Sequence, residues 1–153
     1  VMTAGPRGRL LSVALTEGQV FARSKTETRR LGWWTDKHGR RLVQCGDRLQ
    51  LVRKAMGRKP GEPLVVVARV EVTGVHREPL HTITKADVIA EGFPHWTPNE
   101  FVEFFCRSMK CDPDRVVTVI RWRYLDHEVG DSDQASTVRA LADAGLLVRD
   151  GEQ

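Results

Sequence analysis

The 153-residue sequence contains little cysteine and no long apolar run, and these shortages exclude several classes of protein. Its three cysteines form no even set and no Cys-x-x-Cys pair, which argues against a disulfide scaffold and the common zinc-finger spacings. No stretch of about 18 apolar residues is available to cross a membrane. Glycine-rich phosphate-binding motifs are also missing. We therefore expect a soluble protein without membrane association, bound metal or cofactor.

The apolar run at the N-terminal end is short as well. Residues 10–15 (LLSVAL) follow a basic segment but are too few for the apolar stretch of a secretion signal, so we expect a cytoplasmic protein. Of the three cysteines, Cys45 has no histidine beside it in sequence that could activate it, and we expect it to be a small buried residue.

Positive charge is concentrated in the first part of the chain. Residues 1–60 contain 14 Lys and Arg against 4 Asp and Glu, a net charge of +10, whereas the remainder carries −6. A basic field of this kind attracts polyanions, so nucleic acid or a phosphorylated ligand is the favoured class of partner. A solvated charged surface with no ligand is the alternative.

The apolar periodicity predicts a chain of short strands interspersed with short helices. The predicted strands are residues 10–15, 48–52, 64–73 and 115–124, and the predicted helices start near residues 17, 84, 97 and 138. Thr16 with Gln19 and Thr97 with Glu100 fit capping boxes, and Gly92 fits a left-handed helix end. In the helix after Thr97, a stripe directed toward a core is predicted for Phe101, Phe104, Phe105 and Met109. This pattern favours an α+β fold built on a small β-barrel.

Residues 23–30 (RSKTETRR) place a lysine, two threonine hydroxyls, a glutamate and three arginines between a predicted helix and a predicted strand. Lys25 and Thr28 would share a face in a helical turn but would point in opposite directions in an extended strand. The tryptophans Trp33 and Trp34 follow directly and could stack a base or pack in the core. The predicted nucleic-acid contacts are Arg23, Arg29, Arg30, Arg40, Arg41 and Lys54, with one or both of these tryptophans.

Four stretches in this order resemble an ASCH domain of the PUA-like superfamily: residues 25–30, 45–49, 83–93 and 117–125. The resemblance runs from about residue 11 to residue 126. Lys25 and Thr28 occupy the lysine and threonine of the ASCH signature Gly-x-Lys-x-x-Thr, whereas Arg23 replaces its glycine. The resemblance divides the chain into an ASCH domain at residues 1–126 and an acidic linker with a C-terminal helix at residues 127–153.

The resemblance implies a barrel of five or six strands with short flanking helices and a basic cleft that binds RNA or a modified nucleoside. In bacterial members that hydrolyse N4-acetylcytidine, the signature lysine and threonine act together with a glutamate from a later helix. Lys25, Thr28 and Glu91 match these three positions when residues 83–84 are aligned with the Leu-Thr pair that precedes that helix.

Three functions remain open at this stage. The first is recognition of RNA or a modified nucleoside. The second is an enzyme, either an amidohydrolase of acylated cytidine or a ribonuclease, because a desolvated lysine can accept a proton from a threonine hydroxyl or a water. The third is a protein-interaction module that uses the C-terminal segment.

Overall fold

The computed structural model describes residues 8–125, which form five β-strands, three α-helices and two 3₁₀ turns. The strands are β1 (Arg9–Ser12), β2 (Glu27–Arg30), β3 (Arg48–Val52), β4 (Val66–Pro79) and β5 (Val116–Tyr124). The helices are α1 (Glu17–Phe21), α2 (Lys85–Glu91) and α3 (Pro98–Met109), and the 3₁₀ turns are Ala14–Thr16 and Leu80–Thr82. The predicted α+β composition with a five-stranded sheet is confirmed. The strand order is β1-β3-β4-β5-β2.

The chain divides into two compact units, and the first contains the described residues 8–23, 48–70 and 124–125. In this unit β1 pairs in parallel with β3, with Leu11 opposite Leu51. Leu49 and Leu51 are buried, as the apolar alternation of residues 48–52 predicts. The start of β4 completes the unit, where the Leu125 N–H donates to the Arg69 carbonyl at 3.0 Å.

The second unit, residues 24–47 and 71–123, carries β2, β5, α2 and α3. Both helices start with a capping box in which the threonine hydroxyl accepts from the N3 backbone N–H. Helix α2 uses Thr84 with Asp87 and ends at Gly92, whose φ of 106° is left-handed. Helix α3 begins after Thr97 with a proline in its first turn, as predicted.

The apolar core of the second unit lies between the helices and the strand β5. Its members are Leu80, Ile83, Val88, Phe101, Phe105, Val117 and Val119. Two of the four residues in the predicted stripe of α3, Phe101 and Phe105, are therefore core residues, and Phe104 is half-buried. The placement of Met109 was wrong: it is 44% exposed because it is the last residue of the helix.

Several sequence-based boundaries differ from the structure. The first strand ends at Ser12, and the Thr16 side chain makes no capping bond, so the capping box predicted there is absent. Strand β4 continues to Pro79, six residues past its predicted end. Cys45 is exposed and donates to the Thr73 carbonyl at 3.4 Å, which corrects its predicted burial. The expected C-terminal helix lies outside the described residues, and within residues 8–125 no helix is long and apolar enough to span a membrane.

Candidate functional site

Lys25 and Glu91, 66 residues apart in sequence, form a buried ion pair in the second unit. The Lys25 amine donates to Glu91 Oε1 at 3.0 Å and to the Glu91 carbonyl at 2.8 Å. Each side chain is only 4% exposed. The Thr26 N–H donates to the Ala90 carbonyl at 2.8 Å, so the backbone that precedes β2 is tied to the end of α2. The structure thus brings together two of the three residues that the ASCH resemblance assigns to catalysis.

The surroundings of Lys25 make its amine a weaker base than that of an exposed lysine. Burial lowers the pKa of Lys25, and the carboxylate of Glu91 offsets this only in part. The positive charge of Arg30 lowers the pKa further. The Trp122 indole N–H donates to the Lys25 carbonyl at 3.1 Å and fixes the backbone at this point. Such a lysine is suited to accept a proton or to read a polar group of a ligand.

Arg29 lies at the centre of a carboxylate cluster, which consists of Glu27, Glu78, Asp87 and Glu91. Its Nη1 donates to Glu27 Oε2 and, at 3.2 Å, to Glu91 Oε2. Its Nη2 lies 3.0 Å from Glu78 Oε2 and 3.3 Å from Asp87 Oδ2. The Arg29 guanidinium therefore joins β2 to the end of β4 and to both ends of α2.

The cluster encloses its central cation completely. The Arg29 side chain has no exposed surface, and its Nε has no hydrogen-bond partner among the described residues. Burial alone would lower the pKa of Arg29, but the Glu27 hydrogen bond and the Glu91 charge outweigh it and raise the pKa. Its charge is matched by carboxylates, and no nitrogen is accessible to a phosphate. The predicted role of Arg29 as a phosphate contact does not fit this burial.

The two faces of β2 have different surroundings. In the antiparallel pairing with β5, Arg29 lies opposite Val119 and Arg30 lies opposite Thr118. Because alternate residues of a strand point to opposite faces, Thr28 and Arg30 lie on the face away from the carboxylate cluster. The Arg30 Nε donates to the Thr28 hydroxyl at 3.2 Å. Since β2 is extended, Lys25 and Thr28 do not share a helical face.

We call the side of the sheet that carries Thr28, Arg30, Thr118 and Arg77 the basic face. The Arg77 guanidinium donates to the Thr118 hydroxyl at 3.2 Å, so arginines from β2 and β4 flank a threonine of the intervening strand. Burial lowers the pKa of Arg30, and the charge of Glu91 opposes this shift.

Trp34 lies next to this face. The guanidinium carbons of Arg41 and Arg77 are 3.6 Å and 5.7 Å from the centroid of its ring, within the range of cation–π contacts. Trp33 and Trp34 are both half-buried. Trp33 has a left-handed backbone with φ of 70°, which is unusual for a bulky residue and turns the chain after β2.

The remaining predicted nucleic-acid contacts have local partners. Arg40 is exposed and pairs with Asp36 at 3.1 Å. Arg23 and Lys54 belong to the first unit, where Arg23 lies over the Tyr124 ring at 5.2 Å and Lys54 is 3.5 Å from Glu62.

The sequence analysis missed several residues that complete these arrangements, namely Arg77, Glu78, Asp87, Thr118 and Arg121. Arg121 donates to Glu27 Oε1 at 3.0 Å and lies 3.5 Å from Asp87 Oδ1. The alternation of β5 places residues 119 and 121 on one face and residues 118 and 120 on the other. This alternation can be read from the sequence, and it assigns Thr118 and Arg121 to opposite faces. The pairing of β5 with β2 was not available, because β2 itself was not predicted.

Comparison with solved structures identifies the fold. Protein EF3133 from Enterococcus faecalis V583, of the ASCH-like family DUF984, is 14% identical with a TM-score of 0.54, covering 78% of this chain and 80% of that one. The hypothetical protein PH0355 is 15% identical with a TM-score of 0.50, over 78% and 98% of the two chains. This chain has an ASCH-like fold. The expected fold class, α+β with a five-stranded sheet and short flanking helices, is confirmed at this level.

An ASCH domain from Lactobacillus crispatus JV V101 also aligns, at 13% identity and a TM-score of 0.49, over 76% of this chain and 78% of that one. No protein-family model matches the sequence, and no curated protein matches it. The similarity of this chain to these structures is therefore a similarity of fold.

The carboxylate cluster predicts a large loss of stability when its central cation is removed. Arg29→Met leaves four carboxylates close together and partly buried, so we expect the free energy of unfolding in urea to fall by about 3–5 kcal/mol. Arg40→Met is the matched control, because this 73%-exposed arginine makes one surface ion pair and its loss should cost less than about 1 kcal/mol. Equal effects of the two substitutions would contradict the central role of Arg29.

The same cluster predicts that the free energy of unfolding falls in acid as Asp87 becomes protonated. Burial raises the pKa of the Asp87 carboxyl, but hydrogen bonds from Thr84 and the charges of Arg29 and Arg121 outweigh it and leave the pKa below its usual value. The folded state then binds this proton less readily than the unfolded state, so Asp87 stabilises the fold above the ordinary aspartate pKa. This stabilisation is lost as the pH falls through the lowered value.

The measurement is the free energy of unfolding at neutral pH and at about pH 3, which lies below the ordinary aspartate pKa. Asp87→Asn keeps an acceptor for the Thr84 N–H but cannot titrate, so the difference between the two pH values should shrink. Asp114→Asn, at a side chain 92% exposed, should leave the difference as it is in the parent chain. A pH dependence unchanged by Asp87→Asn would contradict the assignment.

Proposed function

We propose that this chain binds RNA or a modified nucleoside at the basic face. The observation that carries the proposal is the separation of charge across β2. On one face the carboxylates surround Arg29. On the other face, Arg30 and Arg77 donate to threonine hydroxyls.

The basic face supplies groups that nucleic acids require. Arginine nitrogens contact phosphate oxygens and base edges, and Arg30 and Arg77 supply such nitrogens at this face. The half-buried rings of Trp33 and Trp34 provide apolar surface on which a base can stack. An ASCH-like fold is in keeping with this class of ligand.

The Lys25–Glu91 pair supports recognition of a polar group rather than of charge alone. The amine and carboxylate are held 3.0 Å apart and are almost fully desolvated, so each would discriminate strongly between a ligand that pairs with it and one that does not. The pair lies within electrostatic range of Arg30: the charge of Arg30 lowers the pKa of Lys25, and the charge of Glu91 opposes the lowering of the Arg30 pKa.

Binding of labelled single-stranded RNA of mixed sequence, followed by fluorescence anisotropy at several salt concentrations, tests the proposal. Arg30→Met should weaken binding and reduce the slope of log K against log salt by about 0.7, the value for one phosphate contact on a single strand. Arg123→Met is the control, because Arg123 is paired with Glu71 at 2.6 Å. The slope of log K against log salt for this variant should match the slope for the parent chain. A slope that Arg30→Met leaves unchanged would count against RNA phosphates at this face.

A hydrolase is the second candidate, and the lowered pKa of Lys25 favours it. A neutral amine can take a proton from a hydroxyl or a water that attacks an amide, and Glu91 can orient the amine and carry a proton to the leaving group. Thr28 is the nucleophile that the ASCH resemblance implies, and Arg30, whose Nε donates to the Thr28 hydroxyl at 3.2 Å, is a cation that can stabilise an oxyanion there.

Incubation with N4-acetylcytidine, followed by liquid chromatography, tests this second candidate. We expect acetate and cytidine to form with the parent chain and with Arg123→Met, but not with Lys25→Met, whose fold is checked by circular dichroism. Unchanged substrate at high enzyme concentration excludes the amidohydrolase. The ribonuclease alternative is tested separately on end-labelled RNA, where fragments from the parent chain and none from Lys25→Met are expected.

A further inference from the structure

Arg41 and Arg77 share one aromatic ring although both carry a positive charge. The Arg41 guanidinium lies 3.6 Å from the centroid of Trp34 and the Arg77 guanidinium lies 5.7 Å from it. Both arginines are exposed, and Trp34 is half-buried between the end of β2 and Arg41. Arg77 comes from β4, so residues distant in sequence converge on this ring.

These two arginines differ from most other arginines of the second unit in their partners. Arg29, Arg40, Arg121 and Arg123 each form an ion pair with a carboxylate. Within residues 8–125, no ion pair includes Arg41 or Arg77. Two like charges near one ring repel each other, and an anion within reach of both guanidiniums would offset that repulsion.

Each guanidinium is positioned by the protein but keeps donors for a ligand. Arg77 uses Nη1 for the fully buried Thr118 hydroxyl, and Arg41 uses Nη2 for the Val43 carbonyl at 3.5 Å while its plane contacts Trp34. A guanidinium has five N–H donors in a rigid fork, so most of them remain available to an oxyanion. Side chains that are already oriented lose little conformational entropy when they bind.

We propose that Arg41 and Arg77 form a phosphate clamp beside Trp34, so that the basic face binds a nucleotide or the backbone of RNA in preference to an uncharged nucleoside. Binding of a base beside the clamp rests on the proposed function, whereas binding of the phosphate by the two arginines does not. The tetrahedral phosphate accepts charge-assisted hydrogen bonds from both guanidiniums, and the adjacent indole offers a surface to the sugar or base.

Isothermal titration calorimetry with three classes of probe tests the clamp. The probes are inorganic phosphate, the four ribonucleoside 5′-monophosphates and the four matching ribonucleosides. We expect at least one monophosphate to bind about tenfold more tightly than its nucleoside, because the phosphate adds charge-assisted hydrogen bonds. Arg41→Met and Arg77→Met should each remove most of this difference and weaken phosphate binding, while Arg123→Met should preserve both.

The outcomes separate the clamp from the proposed function. Equal affinities for monophosphate and nucleoside, phosphate binding that Arg41→Met and Arg77→Met leave unchanged, or no binding of phosphate and monophosphates would each overturn the clamp. Binding of nucleosides alone would overturn the clamp and leave nucleoside recognition in place. Phosphate binding that depends on both arginines, without any binding of RNA or nucleosides, would support the clamp and overturn the proposed function.

Discussion

The ion pairing of Arg29 is the interaction on which the second unit depends. A guanidinium without exposed surface requires negative charge within hydrogen-bond distance, and four carboxylates from β2, β4 and α2 provide it. The short strand β2 and the helix α2 are thereby joined through polar contacts as well as through the neighbouring apolar core. Because Glu91 contacts both Arg29 and Lys25, the geometry of the Lys25 amine follows from the same set of contacts.

The cluster also explains why the chain can place arginines on the opposite side of β2. Carboxylates that would neutralise a basic surface are held by Arg29 and Arg121 on the helical side. The side chains of Arg41 and Arg77 then interact with an indole, a hydroxyl and a carbonyl instead of with acids. Strand β2 thus carries Arg29 with its carboxylates on one face and Arg30 on the basic face.

In the second unit the sequence predicts both helices and strand β5, but it does not predict strand β2. Capping boxes and a C-terminal glycine are local signals, and they locate α2 and α3 correctly through Thr84, Gly92 and Thr97. Strand β2 has four residues, all polar, and no apolar alternation, because its burial is achieved by ion pairs and not by hydrophobic contact. The ASCH resemblance identified Lys25 and Glu91 as neighbours, whereas the partners of Arg29 required the three-dimensional structure.

The strict alternation of β2 constrains how the length of this segment can change in evolution. Loss or gain of one residue within residues 27–30 would exchange the two faces, directing Arg30 toward the acidic groups and Arg29 toward the basic surface. Arg29 would then leave its carboxylate partners and Glu27 would face the basic side, so the separation of charge across β2 would be lost. The loop at residues 53–65 has no alternation of faces, so an inserted residue there does not turn side chains to the other side of a sheet. Differences in chain length should therefore accumulate in this loop, while the spacing from Lys25 to Arg30 stays fixed.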